Sequence, residues 1–228
     1  MVAAGQSVPF ELPEGLMLSE RAIQLFLLIT ILSIVPGLAV MITCFPFIVT
    51  VLAILRQAIG LQTSPPNILI VSLALFLTYY VMEPVFLEAW RAGLQPLGEG
   101  ALGPVEGLTA ALAPFREFMV GRLAADSYAA LAELRGVPRT ADVETAPLSV
   151  LVPAFLLSEI ERAFQIGFLI FLPFLIIDLV VAAVLMSMGM MMVPPAIVSL
   201  PFKLAFFVVA DGWGLLANAL VRGYVPQL

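Results

Sequence analysis

The side chains able to do chemistry are few, and most of the informative ones lie in the last third of the chain. There is no histidine and one cysteine, Cys44. A metal site built from several Cys or His ligands is therefore impossible within one chain, and so is a Ser-His or Cys-His nucleophile pair. Glu159, Glu161 and Arg162 form a short charged run, SEIER. Two carboxylates two residues apart point to different helix faces, so this run reads as an interface or helix-end cluster and not as a catalytic pair. No general acid/base constellation is visible, and an enzyme is not expected. Between Phe164 and Trp213 only Asp178, Lys203 and Asp211 are formally charged, and Lys203 is the only lysine of the protein. Charges inside apolar segments are costly and face a partner or a wet cavity. Lys203 and Asp211 are eight residues apart, which places them on one face of a continuous helix, too distant for a direct bond. The expectation is an interhelical ion pair of Lys203 with Asp178 or Asp211, in the same or a neighbouring copy. A role in ion coupling or gate opening is the sharper alternative.

Five of the ten methionines, Met186, Met188, Met190, Met191 and Met192, fall within seven positions. Methionine is unbranched and polarisable and adapts its shape to irregular neighbours. Plain helix filler is one reading. The other is a deformable apolar constriction: if several copies surround an axis, thioethers from each could close a pore to ions and part for a passing polypeptide, and hydrophobic constrictions are a known gating device. Gly189 and the stop Val193-Pro194-Pro195 make this stretch a helix end or loop able to protrude.

The elements that must hold these residues are apolar. The 228 residues are 62% hydrophobic and 11% charged, with a mean hydropathy of +1.10, where soluble domains carry about 25% charged residues. A membrane or membrane-inserting protein is indicated. The net charge of −6 gives no electrostatic case for nucleic acid. Cys44 lies in an apolar run and reads as a small core residue.

Residues 1–19 form an N-terminal lead without the basic region of a secretory signal. Residues 20–87 read as a first helical hairpin. Its first segment, residues 22–55, is free of charge, long enough to span a bilayer, and kinked or broken at Pro36-Gly37 and Pro46. Ser19 with Glu20 offers its start. The stretch GLQTSPPN is a loop, with Asn67 available to cap the second segment. Residues 88–147 are a polar, water-facing insert. The run AGLQPLGEGALGPVEG is rich in Gly and Pro and reads as irregular, while residues 115–134 show steps of three and four that suit an amphipathic helix or helix pair. Residues 148–228 form a second hairpin, with apolar segments at 163–192 and 196–220 and the methionine-rich stretch between them. The fold class expected is all-α: kinked membrane-type helical hairpins with a polar helical insert. Positive charges are too sparse to orient it.

At this point the residues resemble a known family. PAFLLSEIERAFQIGF (153–168) and PFLIIDLVVAAVLMSMGMMMVPPAIVSLPFKLAFFVVADGW (173–213) are similar to hallmarks of the FliP family, the R-type export-gate subunits of bacterial type III secretion. LRQAIGLQTSPPN followed by LALFLTYYVMEPV resembles its N-terminal half. The flagellar branch fits better than the injectisome branch, which is kept as an alternative. One departure is Pro46-Phe47 after Phe45, where many members carry Thr-Arg. The resemblance implies an all-helical subunit in a pentameric ring that assembles with FliQ- and FliR-type subunits. It implies a bacterial inner-membrane location in the flagellar basal body, with much of the gate on the periplasmic side. FlhA, FlhB and an ATPase would supply energy and substrate selection, and flagellar axial proteins would pass through. The methionine run would correspond to a gasket around the pore. No cofactor is implied. A small-solute or ion transporter lined by Asp178, Lys203 and Asp211 is the remaining alternative; transporters often show two similar halves, and no internal repeat is evident here.

Overall fold

In a computed structural model of the chain, residues 37–61, 64–136 and 143–224 are described, together with a few positions between 22 and 33. The chain divides into two compact units, Met1–Ala39 and Val40–Leu228. In the first, the described residues are helical, and the hydroxyls of Thr30 and Ser33 donate to the carbonyls of Phe26 and Ile29, both at 2.7 Å. This is the back-bonding by which such residues satisfy themselves inside a helix. Ser19, Glu20 and Pro36 lie outside the described residues.

The second unit is built of helices, with no strand among its described residues: α1 Phe45–Ile59, α2 Asn67–Ala89, α3 Gln95–Gly98, α4 Pro104–Arg122, α5 Ala125–Leu134, α6 Leu148–Ser187, α7 Pro195–Val209 and α8 Gly212–Arg222. The expected break at Pro46 is present. The backbone bends at residues 42–44, and α1 starts with Pro46 in its first turn, where a missing N–H costs nothing.

Helix α1 is the hub. Cys44, Phe47, Ile48, Val51, Leu52 and Leu55 are buried with Ile70, Ala74 and Met82 of α2, Ala163 and Phe174 of α6, Phe207 of α7, and Leu216 and Leu220 of α8. Cys44 is a core residue, as its apolar context indicated. The ends of α1 and α2 meet differently from expectation. Asn67 does not cap α2, whose cap position is Pro66; its side chain instead accepts from Arg56 Nη1 at 2.5 Å.

The run 92–107 is irregular only at residues 99–103 and helical on both sides of them. Helix α2 passes through Pro84 into a π-helical turn, Trp90–Leu94, and on into α3. Gly93 permits this: a Cβ there would stand 2.3 Å from the Ala111 nitrogen and 2.4 Å from the Gly107 oxygen, both on α4. Gly93 and Gly107 are thus contact points of two crossing helices, while Gly100 and Gly103 lie in the turn between α3 and α4. Residues 115–134 are a helix pair, α4 and α5, divided at Leu123 and Ala124. Helix α4 lays Phe115 and Phe118 on the main core and buries Met119 with Leu151 and Phe155 of α6. Helix α5 buries Tyr128 and Ala132 with Val150 and Ala154.

Helix α6 runs 40 residues, through Pro153 and Pro173, so the apolar segment expected at 163–192 begins inside a helix that starts at Leu148 and ends at Ser187. Val150, Leu151, Ala154 and Phe155 are buried on both sides of Pro153, and this packing holds the helix through the lost hydrogen bond. At 1.5 Å per residue it extends about 60 Å, twice the roughly 30 Å hydrocarbon core of a bilayer. The described residues contain two helices long and apolar enough to cross a membrane, residues 67–98 and 148–187. Helices α7 and α8, bent by 62°, pass the same test together, as a broken span or a re-entrant loop. Helix α1, at 15 residues, is apolar but short.

Candidate functional site

Lys203 finds its partner in the same chain. Its Nζ donates to Asp178 Oδ2 at 2.6 Å and to the Ala58 carbonyl at 3.1 Å, and Ser199 Oγ donates to Asp178 Oδ1 at 2.5 Å. The carbonyl contact follows from how α1 ends. Gly60 takes a left-handed conformation (φ 92°), its N–H bonding Gln57 and that of Leu61 bonding Arg56. Among the described residues this cap leaves the Ala58 oxygen without a backbone partner. An ammonium there satisfies the orphan acceptor and opposes the negative end of the helix dipole. One buried lysine thus joins α1, α6 and α7. It is 5% exposed, while the Asp178 side chain remains 33% exposed, so the pair is dry on one side only.

Asp211 is not part of this node, and it does not share a helix face with Lys203. Helix α7 ends at Val209, and Asp211 adopts a left-handed backbone (φ 49°, ψ 48°) at the corner into α8. Aspartate tolerates that region better than most residues. Trp213 packs edge-on against Phe207 with centroids 5.3 Å apart, and a Cβ at Gly212 would meet the Phe207 ring at 2.2 Å. A Cβ at Gly214 would lie 2.3 Å from Asp211 Oδ2, so the carboxylate lies over the first turn of α8, where the dipole favours it.

Glu159 is a buried charge, as one reading of the run has it, and does not stand at a helix end. It is fully buried in the N-terminal third of α6. Arg122 Nε donates to its Oε1 at 3.0 Å, Arg162 Nη1 reaches the same oxygen at 3.5 Å, and the Tyr224 hydroxyl donates to Oε2. Arg122 also donates to the Gly223 carbonyl at 2.7 Å and lies 3.9 Å over the Tyr224 ring, a cation–π stack. Burial, and secondarily the Glu159 charge, pushes the Tyr224 phenol well up, which keeps it a neutral donor. Ser158 completes the node: its Oγ accepts from the N–H of Ala124, the residue preceding α5, at 2.9 Å and donates to the Ala154 carbonyl at 2.8 Å. Glu161, by contrast, is exposed and bonds Gln165 one turn on, at 3.2 Å. The Phe47 ring is buried with the Arg122 guanidinium 6.0 Å from its centroid.

The methionines form the turn between α6 and α7. Helix α6 closes at Gly189 (φ 77°), whose N–H bonds the Met186 carbonyl at 3.0 Å, while the Met190 N–H bonds Leu185 at 2.9 Å. This pair of bonds is the Schellman arrangement, for which glycine is suited. Met186, Met188 and Met190 are exposed, and Met191 and Met192 are 84% and 97% exposed. Within the chain these thioethers fill no core.

Arg122, Tyr224 and Ser199 carry as much of this architecture as the residues singled out from sequence. Arg122 lies 37 residues from Glu159 and Tyr224 lies 65 away. No local pattern joins them.

Long apolar helices, buried charges that tie helix to helix, and a bare sulfur-rich turn define an all-helical, membrane-type protein whose charged groups serve architecture. Comparison with known proteins agrees with that class and narrows it. Residues 28–220 match the FliP family. The chain is 49% identical to the flagellar biosynthetic protein FliP of Caulobacter vibrioides, over 97% of this chain and 83% of the relative. It is 45% identical to that of Rhizobium meliloti (98% and 94%) and 44% identical to that of Bacillus subtilis (90% and 93%). The chain belongs to the FliP family.

Proposed function

We propose that this chain is a subunit of the flagellar type III protein export gate, where it forms part of the protein-conducting pore and its seal. Its part in flagellar biosynthesis is structural rather than catalytic. Copies of the chain stand around a common axis as a pentameric ring, joined by FliQ- and FliR-type subunits and working with FlhA and FlhB in the bacterial inner membrane. Unfolded flagellar proteins pass along the axis. The observation that carries the sealing role is the exposure of Met188, Met190, Met191 and Met192 on a turn anchored by two packed helices. Apolar side chains left bare in one subunit are satisfied if they meet their copies at an axis, and thioethers conform to each other and to a passing chain.

The test is conductance. Replacing Met190, Met191 and Met192 together with alanine removes most of the apolar bulk of the turn while leaving the Gly189 cap and both helices intact. The expected outcome is an assembled particle of unchanged size that leaks ions across a lipid bilayer. Unchanged conductance in a normally assembled particle removes the seal.

A further inference from the structure

A half-open groove of about 470 Å³ lies between α1, α2, α7 and α8, within the size range of small-molecule sites. Its walls include Leu52, Leu55, Leu69, Leu73, Phe207 and Trp213, and Arg56 is its one charged lining residue. Arg56 is held in place by Nη1, which donates to the Pro65 carbonyl at 3.4 Å and to Asn67 Oδ1. Among the described residues no carboxylate pairs with it. A fixed guanidinium on an apolar groove therefore has no carboxylate partner among the described residues.

Two placements say what kind of anion fits. Arg56 stands in the last turn of α1 beside the start of α2, and α2 opens one of the membrane-length helices. That is the depth of the headgroup layer for a span beginning there. Trp213, half exposed, lines the same groove, and tryptophan is enriched at that layer. An acyl chain would take the apolar wall out of water, and a phosphate oxygen pair matches the guanidinium fork.

We propose that this groove holds an acyl chain of an anionic glycerophospholipid, with its phosphate on Arg56. The inference needs only that the protein meets lipid, so it stands or falls separately from the export-gate reading.

The full-length protein, purified in its assembled state, is transferred to nanodiscs of phosphatidylcholine containing a minor fraction of phosphatidylglycerol. Retained lipid is then read by native mass spectrometry. Phosphatidylglycerol should be enriched over the bulk ratio by on the order of fivefold, the scale of one basic residue at an anionic surface. Arg56→Gln should abolish the enrichment with helicity unchanged, and Leu69→Trp, which fills the groove and leaves the guanidinium, should lower total retained lipid. Lack of enrichment in the unmodified protein overturns the proposal without recourse to any variant. So does retention of neither lipid, which would mean that a protein neighbour covers the groove. Displacement of the lipid by inorganic phosphate alone would also overturn it, because the site would then be an anion site with no acyl chain.

Discussion

Lys203 can donate three hydrogen bonds, and two go to groups that would otherwise be poorly served: the Asp178 carboxylate and the orphan Ala58 carbonyl. Lys203→Ala leaves both behind. Breaking a fully buried pair costs about 3–5 kcal/mol; with Asp178 one-third exposed, solvent screening reduces this to roughly 2 kcal/mol. Thermal unfolding in detergent should show that loss, with Glu117→Ala, an exposed change on α4, within about 0.5 kcal/mol of the unmodified protein. Equal, mild effects of the two would mean that Lys203 holds nothing together. At the second node the carboxylate matters more than the phenol. Glu159→Gln leaves the part-buried Arg122 without its counter-charge, whereas Tyr224→Phe removes one hydrogen bond, worth about 1–3 kcal/mol because its acceptor is charged. The first substitution should lower the unfolding temperature further than the second; the reverse order would place the weight of the node on the ring stack.

At the level of elements, the informative contact is the crossing of the π-turn over α4. A Cβ at Gly93 would overlap backbone atoms of α4, and backbone cannot swing aside as a side chain can. Gly93→Ala should therefore destabilise by about 1–3 kcal/mol. Gly121→Ala on α4 meets nothing within 4 Å and should be neutral or stabilising by up to about 1 kcal/mol, the helical preference of alanine over glycine. Circular dichroism melts of the two variants distinguish a tight crossing from a glycine that merely sits in a helix. The same crossing explains why the helical ends of AGLQPLGEGALGPVEG, at Gly93 and Gly107, read as loop. Glycine weakens a helix taken alone, and only the partner helix shows that the missing Cβ makes room. Helix α6 teaches the complementary lesson. Pro153 and the charged run after it suggest a boundary, yet buried neighbours on both sides of the proline carry the helix through.

For the whole molecule, the exposed apolar surface is the notable property. Phe76, Tyr80, Phe168, Ile176, Val180 and Phe202, among others, stand bare on the subunit, consistent with lipid or protein neighbours on several sides. Between α2 and α6 the polar insert should remain open to water. In a Cys44→Ser background, cysteines placed at Val105 and Leu134, which are 78% and 83% exposed, should react readily with a water-soluble maleimide in the isolated subunit. Uniform protection of both would contradict a water-facing insert.

Taken alone, the sequence determines the all-helical class, the apolar segments long enough for a membrane, the want of catalytic groups and the break at Pro46, because each is a property of residues close together in the chain. It also narrows Lys203 to two acidic partners, since charge in apolar helices must be matched. Tertiary structure alone decides that Asp178 is the one chosen, that Asp211 turns a corner instead, and that Glu159 is buried under Arg122 and Tyr224. Those outcomes depend on which helices lie side by side, and distances of 25 to 65 residues along the chain carry no periodic signal from which a contact could be read.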